Sequence, residues 1–216
     1  MSISPEAVKE LRAQTGAGMM DCKKALAECS GNFDQAVDYL RKKGLAAAQK
    51  KQGRIASEGT IGSYIHGGRI GVMVEVNCET DFVAKNEDFL NLVKEVAMHI
   101  AASDTRFLRK EEMDEAFIAR ERNIYEAQLR EQGKPENMIG KIVEGKISKL
   151  ASEVCLYEQK WVKNPDISIN DLVNELTLKI GEKIAIRRFS KFVLGEGIEK
   201  KTDNLAEEVA KISGKQ

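Results

Sequence analysis

The run Ile70-Gly71-Val72-Met73-Val74-Glu75-Val76, followed directly by Asn77-Cys78-Glu79-Thr80-Asp81-Phe82-Val83-Ala84-Lys85-Asn86, decides the fold. Ile70, Val72, Val74 and Val76 alternate with Met73 and Glu75, which is the period-two pattern of a strand with one buried face. Upstream, residues 60–65 form a second such run, and Gly67-Gly68 between the two predicts a β-hairpin. Downstream, Phe89, Leu92, Val93, Val96, Ala97, Ile100 and Ala101 recur at spacings of three and four, predicting an amphipathic helix over 87–102. Asn86 is placed to cap it, with Glu87 and Asp88 near its positive end. A helix with that apolar stripe covers the apolar face of the hairpin, and the fold class is α+β.

Towards the C-terminus, helical segments are predicted over 110–131 and 135–155. Gly133-Lys134-Pro135 divides them, a break short enough for an antiparallel helical hairpin. Met138, Ile142, Ile147, Leu150 and Val154 share one side of the second segment. Asn164-Pro165-Asp166 marks a turn after Trp161-Val162. Ser168 to Asp171 has the form of a capping box, opening a helix through Leu172, Val173, Leu176 and Ile180 that stops at Gly181. Ile184, Ile186 and Phe192 lie in a strand ending at Gly195, expected to join the sheet of the earlier hairpin. The tail from Thr202 carries Leu205, Val209 and Ile212 at helical spacing, an amphipathic segment able to dock on its own body or on a partner.

Towards the N-terminus, three short helices are predicted. Ser4 caps the first, with Pro5 at its first position, and it stops near Thr15-Gly16. The second covers about 19–29, and Asn32 with Gln35 resembles a capping box for a third that ends at Gly44. Val8, Leu11, Leu26, Phe33, Val37 and Leu40 supply a small core, so this unit is a marginal bundle. The Ala-, Lys- and Gln-rich stretch that follows reads as a polar, helical linker. The expected organisation is therefore a three-helix domain over 1–44, a linker over 45–54, an α+β core over 55–197 that includes the helical hairpin, and a C-terminal helical module over 198–216. Met19 and Met20 diverge by about 100° on a helix, so both cannot easily face one small core. An exposed Met is either a core-edge residue or an adaptable apolar contact for a partner, and spacing does not choose between them.

Composition narrows the function classes. With 216 residues, a folded chain buries roughly 70% of its unfolded surface, enough for a substantial core. The 34 basic and 34 acidic side chains cancel, so no overall field draws nucleic acid or an anionic membrane. The four cysteines are scattered and the two histidines lie far apart in sequence, so no metal site and no cofactor is indicated, and free thiols suit the cytosol. No apolar run is long enough to span a bilayer, and residues 1–5 lack a signal-peptide pattern.

Nucleophile turns, Walker motifs and dinucleotide fingerprints are absent from the sequence. Glu75, Glu79 and Asp81 could bring carboxylates together, but no companion His, Lys or metal ligand is indicated, so catalysis is disfavoured. Arg187 and Arg188 lack a Gly-rich phosphate loop and read as surface or ion-pair residues. For the stretch from Thr80 to Asn86 two readings stay open. Phe82 folds inward beneath the loop, the usual fate of phenylalanine and the reading that pattern favours, or it projects outward beside Asp81 as a contact.

Two long motifs carry a family resemblance: Leu11-Arg12-Ala13-Gln14-Thr15-Gly16-Ala17-Gly18-Met19-Met20-Asp21-Cys22-Lys23-Lys24-Ala25-Leu26 and Glu75 through Asn86. Both closely resemble bacterial elongation factor Ts, and the likeness continues through Gly140 to Gly145, Arg187-Arg188-Phe189 and Gly195 to Lys200. The resemblance implies a UBA-like N-terminal domain and a guanine nucleotide exchange factor for elongation factor Tu, which makes or breaks no covalent bond and is not an enzyme. It implies that Asp81 and Phe82, flanked by Thr80 and Val83, act at the GTPase domain, where the aromatic weakens magnesium and phosphate contacts. It also implies that Leu11, Met19 and Met20 grip a helix of that domain, and that Leu205 and Val209 are further partner contacts. Only one hairpin-plus-helix unit is found, which resembles the short form of the family and implies a homodimer. Residues 150–161 or the sheet edge are the candidate interfaces.

Overall fold

The structure is a computed structural model and describes residues 3–51 and 53–198, apart from the side chains of residues 45, 47 and 48. The expected C-terminal helix, with Leu205 and Val209, lies outside the described residues.

The chain opens with α1 (Pro5–Thr15), α2 (Met19–Glu28) and α3 (Phe33–Lys51). Ser4 Oγ accepts from the Ala7 amide, and Gly16 closes α1 at φ 66°, a left-handed position that suits glycine. Leu11, Cys22, Ala25, Leu26, Ala36 and Leu40 form a core of their own among these helices. The third helix does not stop at Gly44. It continues to Lys51, because Gly44 lies where α3 passes α8 (Ile169–Ile180); a Cβ there would sit 3.5 Å from Leu178 Cδ2. Tertiary packing overrides the weak helix propensity of glycine. The Ala-rich stretch is thus mostly the last turns of α3. Arg41 on α3 also reaches Asp171 on α8 at 2.5 Å.

β1 (Glu58–His66) and β2 (Ile70–Cys78) form the predicted hairpin, with Glu58 opposite Cys78 and His66 opposite Ile70. Gly67 and Gly68 turn the chain with φ of 55° and 67°. β5 (Ala185–Val193) pairs antiparallel with β2, giving the order β1-β2-β5. Val72, Val74 and Val76 face inward and are covered by α5 (Glu87–Ala102), whose predicted stripe is buried throughout. The approach is close: a Cβ on Gly62 of β1 would come within 2.3 Å of Val93 Cγ1 on α5.

α6 (Glu115–Glu131) and α7 (Glu136–Val154) form the helical hairpin. Residues 110–112 are a short 3-10 turn, and α6 begins only after Asp114, whose carboxylate accepts from the Ala116 amide. The buried line of α7 is Ile139, Val143, Ile147, Ala151 and Val154, while Met138 is 52% exposed. The predicted row followed the larger side chains and passed over Ala151, so it was rotated by about one residue in the first turns. A small hairpin of β3 (Lys160–Trp161) and β4 (Asn164–Ser168) was not foreseen. Its turn falls at Val162-Lys163, and Pro165 occupies β4 rather than a turn, as an edge strand permits. The Ser168–Asp171 capping box forms as expected and starts α8.

Candidate functional site

Strand β2 ends at Cys78 and α5 begins at Glu87, so the eight residues between them, 79–86, are tightly constrained. Thr80 is extended (φ −129°) and caps a one-turn helix, α4 (Asp81–Ala84); its hydroxyl accepts from the Val83 amide. A helix this short is not stable alone, and its surroundings hold it. Ala84 is buried and Val83 packs against the main core. Thr60 Oγ1 donates to the Ala84 carbonyl at 3.2 Å, and Cys78 Sγ donates to the Thr80 carbonyl at 3.1 Å. Asn86 then caps α5 by accepting from the Asp88 amide.

With Val83 and Ala84 turned inward, Phe82 is turned out. It is 83% exposed, so the inward reading of this side chain does not hold. Asp81, also exposed, pairs with Lys85 at 2.9 Å. That hydrogen bond and the lysine charge hold its carboxyl below the usual range, so it is ionised at neutral pH.

The three carboxylates considered for catalysis do not converge on one another. Glu75 is gripped by Arg187 at 2.7 Å and Arg188 at 2.6 Å, and their hydrogen bonds lower it to about 2. Glu79 accepts from the Lys183 amide at 2.6 Å and pairs with Arg54, and the backbone hydrogen bond first, then Arg54, lowers its carboxyl. Asp81 has Lys85. Each is a structural or surface ion pair with its own cation or donor. Among the described residues no group of three or more His, Cys, Asp or Glu is arranged to hold a metal ion. No described helix is long and apolar enough to cross a membrane.

One residue was missed by sequence reasoning. Glu182, in the turn after α8, accepts from the amides of Glu79 (3.1 Å) and Thr80 (3.0 Å) through Oε2 and from the Thr80 hydroxyl (2.8 Å) through Oε1. No local pattern announces it, since Gly181-Glu182-Lys183 is an ordinary charged turn and its partners lie about a hundred residues away.

At the other end, Met19 and Met20 are 51% and 76% exposed on the first turn of α2. Leu11, grouped with them as a contact, is fully buried inside the three-helix core. Its side chain has no free surface to offer, and it acts as packing beneath the methionines' unit.

A protein-family model described as Elongation factor TS matches residues 45–196. The elongation factor Ts of Geotalea daltonii is 59% identical over 215 residues, covering 99% of this chain and 100% of that protein. Those of Geobacter sulfurreducens and Alkaliphilus oremlandii are each 58% identical over 99% and 98% of this chain, and over 100% and 98% of their own lengths. The chain belongs to the elongation factor Ts family. The family model begins within α3, but the elongation factor Ts relatives extend over the three-helix unit as well. The α+β architecture read from the Ile70–Ala102 stretch is thus the architecture of an elongation factor Ts family member, a protein of translation elongation.

Proposed function

We propose that this chain is a guanine nucleotide exchange factor that binds elongation factor Tu with GDP bound and speeds GDP release, and that it works in the cytoplasm without nucleic acid or membrane as direct partner. The observation that carries this reading is Phe82: a large aromatic held outward on a capped one-turn helix whose other side is anchored in the core. An exposed aromatic on a rigid mount is the kind of group that anchors an interface. In this reading Phe82 enters the GTPase domain near the nucleotide's magnesium and phosphates and weakens their contacts, with Asp81 beside it and Thr80 and Val83 shaping the turn. Met19 and Met20 grip a helix of the same domain, and Leu205 and Val209 of the C-terminal segment add further contact. The functional units are then 1–44 as a gripping module, 55–197 as the core and 198–216 as a C-terminal module, with the end of α3 as the connection.

Linkage fixes the form of the mechanism. A factor that lowers nucleotide affinity must itself be bound less tightly, by the same ratio, when nucleotide is present. The complex of all three is therefore transient, and GDP or GTP rebinding expels the factor.

A second reading of the same chain concerns assembly. The outer face of the sheet exposes Ile61, Ile65, Met73 and Phe192; Ile65 and Phe192 flank Gly71 in one row, and Met73 lies between Ser63 and Ser190 in the next. Exposed apolar side chains on an open sheet face suit association, and the single hairpin-plus-helix unit supports a homodimer formed through it. Sedimentation velocity over a range of concentrations is expected to show a dimer that Phe192→Asp dissociates. A wild-type monomer throughout would overturn this assignment.

The exchange reading is tested by following release of fluorescent GDP from elongation factor Tu with and without the chain. Stimulation by wild type that is lost, by about tenfold or more, in folded Phe82→Ala is expected. Binding with no change in the nucleotide off-rate would favour a helix-binding or chaperone-like module instead.

A further inference from the structure

We infer that Glu182 is a positioning residue for nucleotide release, holding the Thr80 cap so that α4 presents Asp81 and Phe82 in one orientation. The inference rests on the exchange-factor reading and deepens it. The Glu182 carboxylate accepts three hydrogen bonds from two consecutive residues, the amides of Glu79 and Thr80 and the Thr80 hydroxyl. Bonds to an ionised acceptor are shorter and stronger than neutral ones. They also settle the rotor of Thr80. Its single hydroxyl proton is committed to Glu182, which leaves an oxygen lone pair for the Val83 amide, the capping bond of α4.

The clamp is reciprocal. Glu79 Oε1 accepts from the Lys183 amide at 2.6 Å, while Glu182 accepts from the Glu79 amide, so the 79–80 and 182–183 segments exchange carboxylate-to-backbone bonds. Glu182 is itself fixed from behind. Gly181 ends α8 in a left-handed turn at φ 88°, and β5 begins at Ala185 in the central sheet. The orientation of Phe82 is therefore set by an element remote in sequence and packed on the core. The hydrogen bonds of a one-turn helix are too few to hold its first residues, and at Thr80 the Glu182 carboxylate adds to the Cys78 Sγ bond on the carbonyl. Glu182 touches neither nucleotide nor partner in this scheme; its effect passes through Thr80.

The test compares wild type, Glu182→Ala and Glu182→Gln at saturating and sub-saturating concentrations in the fluorescent GDP assay, with folding followed by circular dichroism. Glu182→Ala is expected to lower the maximal release rate by about fivefold or more, with less than about threefold change in the half-saturating concentration, because Met19 and Met20 are untouched. Glu182→Gln keeps one carbonyl acceptor and is expected to recover part of the rate. Independently of any partner, the Thr80 and Val83 amides of the unbound variants should exchange with deuterium faster than in wild type. If Glu182→Ala does not fold, the Gln variant decides: a lowered maximal rate and faster exchange at Thr80 support the role. Folded variants with a wild-type maximal rate, or with unchanged amide protection, overturn it while leaving the exchange reading intact. Wild type that fails to accelerate GDP release removes the exchange reading itself, and the positioning role with it.

Discussion

The Asp81 carboxylate and the Lys85 ammonium meet at 2.9 Å across one turn of chain, on the exposed side of the segment that displays Phe82. Both are solvated, and a solvated pair of this spacing adds little to a fold. Lys85→Ala is therefore expected to leave the melting temperature within about 2 °C of wild type. Asp81→Ala should slow stimulated GDP release in the same direction as Phe82→Ala but less severely, as stopped-flow comparison of the two variants would show.

Met20 provides a second separation of stability from binding. At 76% exposure its side chain contributes little to the N-terminal core, so Met20→Ala should melt within about 2 °C of wild type. Its affinity for elongation factor Tu should fall by roughly 5- to 30-fold, the loss expected for an apolar interface anchor. Calorimetric titration of the folded variant checks this. Leu11→Ala should do the reverse, melting the three-helix unit because Leu11 is fully buried.

Gly62 has no room for a side chain. A Cβ at this position would lie 2.3 Å from Val93 Cγ1, and overpacking of this kind costs about 1–3 kcal/mol. Gly62→Ala should lower the urea midpoint. Adding Val93→Ala should cost less in the Gly62→Ala background than in wild type, because it vacates the space the new methyl needs; a strictly additive double mutant would contradict this packing.

His99 is buried, and burial holds its pKa below the ordinary histidine value. Its Nδ1 faces the Val162 amide at 3.3 Å, and its Nε2 lies 2.9 Å from Gln159 Oε1, which also accepts from Thr105. The network requires the neutral ring with its proton on Nε2, since a proton on Nδ1 would face another donor. A depressed folded value means the unfolded chain takes up the proton first, so the His99 contribution is present above about pH 6.5 and is lost as pH falls below it. The His99 ring resonance should titrate with a midpoint below 6.5, the ordinary histidine value. A midpoint at or above that value would contradict the depression by burial.

Much of the fold was legible because local pattern and tertiary packing agree there. The Val72, Val74 and Val76 alternation and the Phe89-to-Ala101 stripe each bury a complete face, so periodicity sufficed. Where they disagree, sequence reading went astray. Gly44 looked like a helix stop, yet it lies inside α3 where that helix packs on Leu178 of α8. Pro165 looked like a turn, yet β4 is an edge strand with no need for every amide. For the candidate site, composition argued that Phe82 belongs inside. It is outside because Val83 and Ala84 take the inward positions of a single turn. Glu182 was invisible, because its whole significance lies in contacts to Glu79 and Thr80 across the fold.

The continuity of α3 past Gly44 bears on how strongly a partner can be held. Nineteen residues of unbroken helix span roughly 28 Å, and the Arg41 to Asp171 contact seats that rod on α8. In the proposed complex with elongation factor Tu, the methionine pair and Phe82 would then act as the jaws of a calliper with a preset gap. Once one jaw has closed on a target of matching width, the other is delivered at high local concentration without the search a loose tether would impose. In that complex a target whose two docking points lie further apart would gain only one jaw, so the gap itself would select between conformations of the same partner.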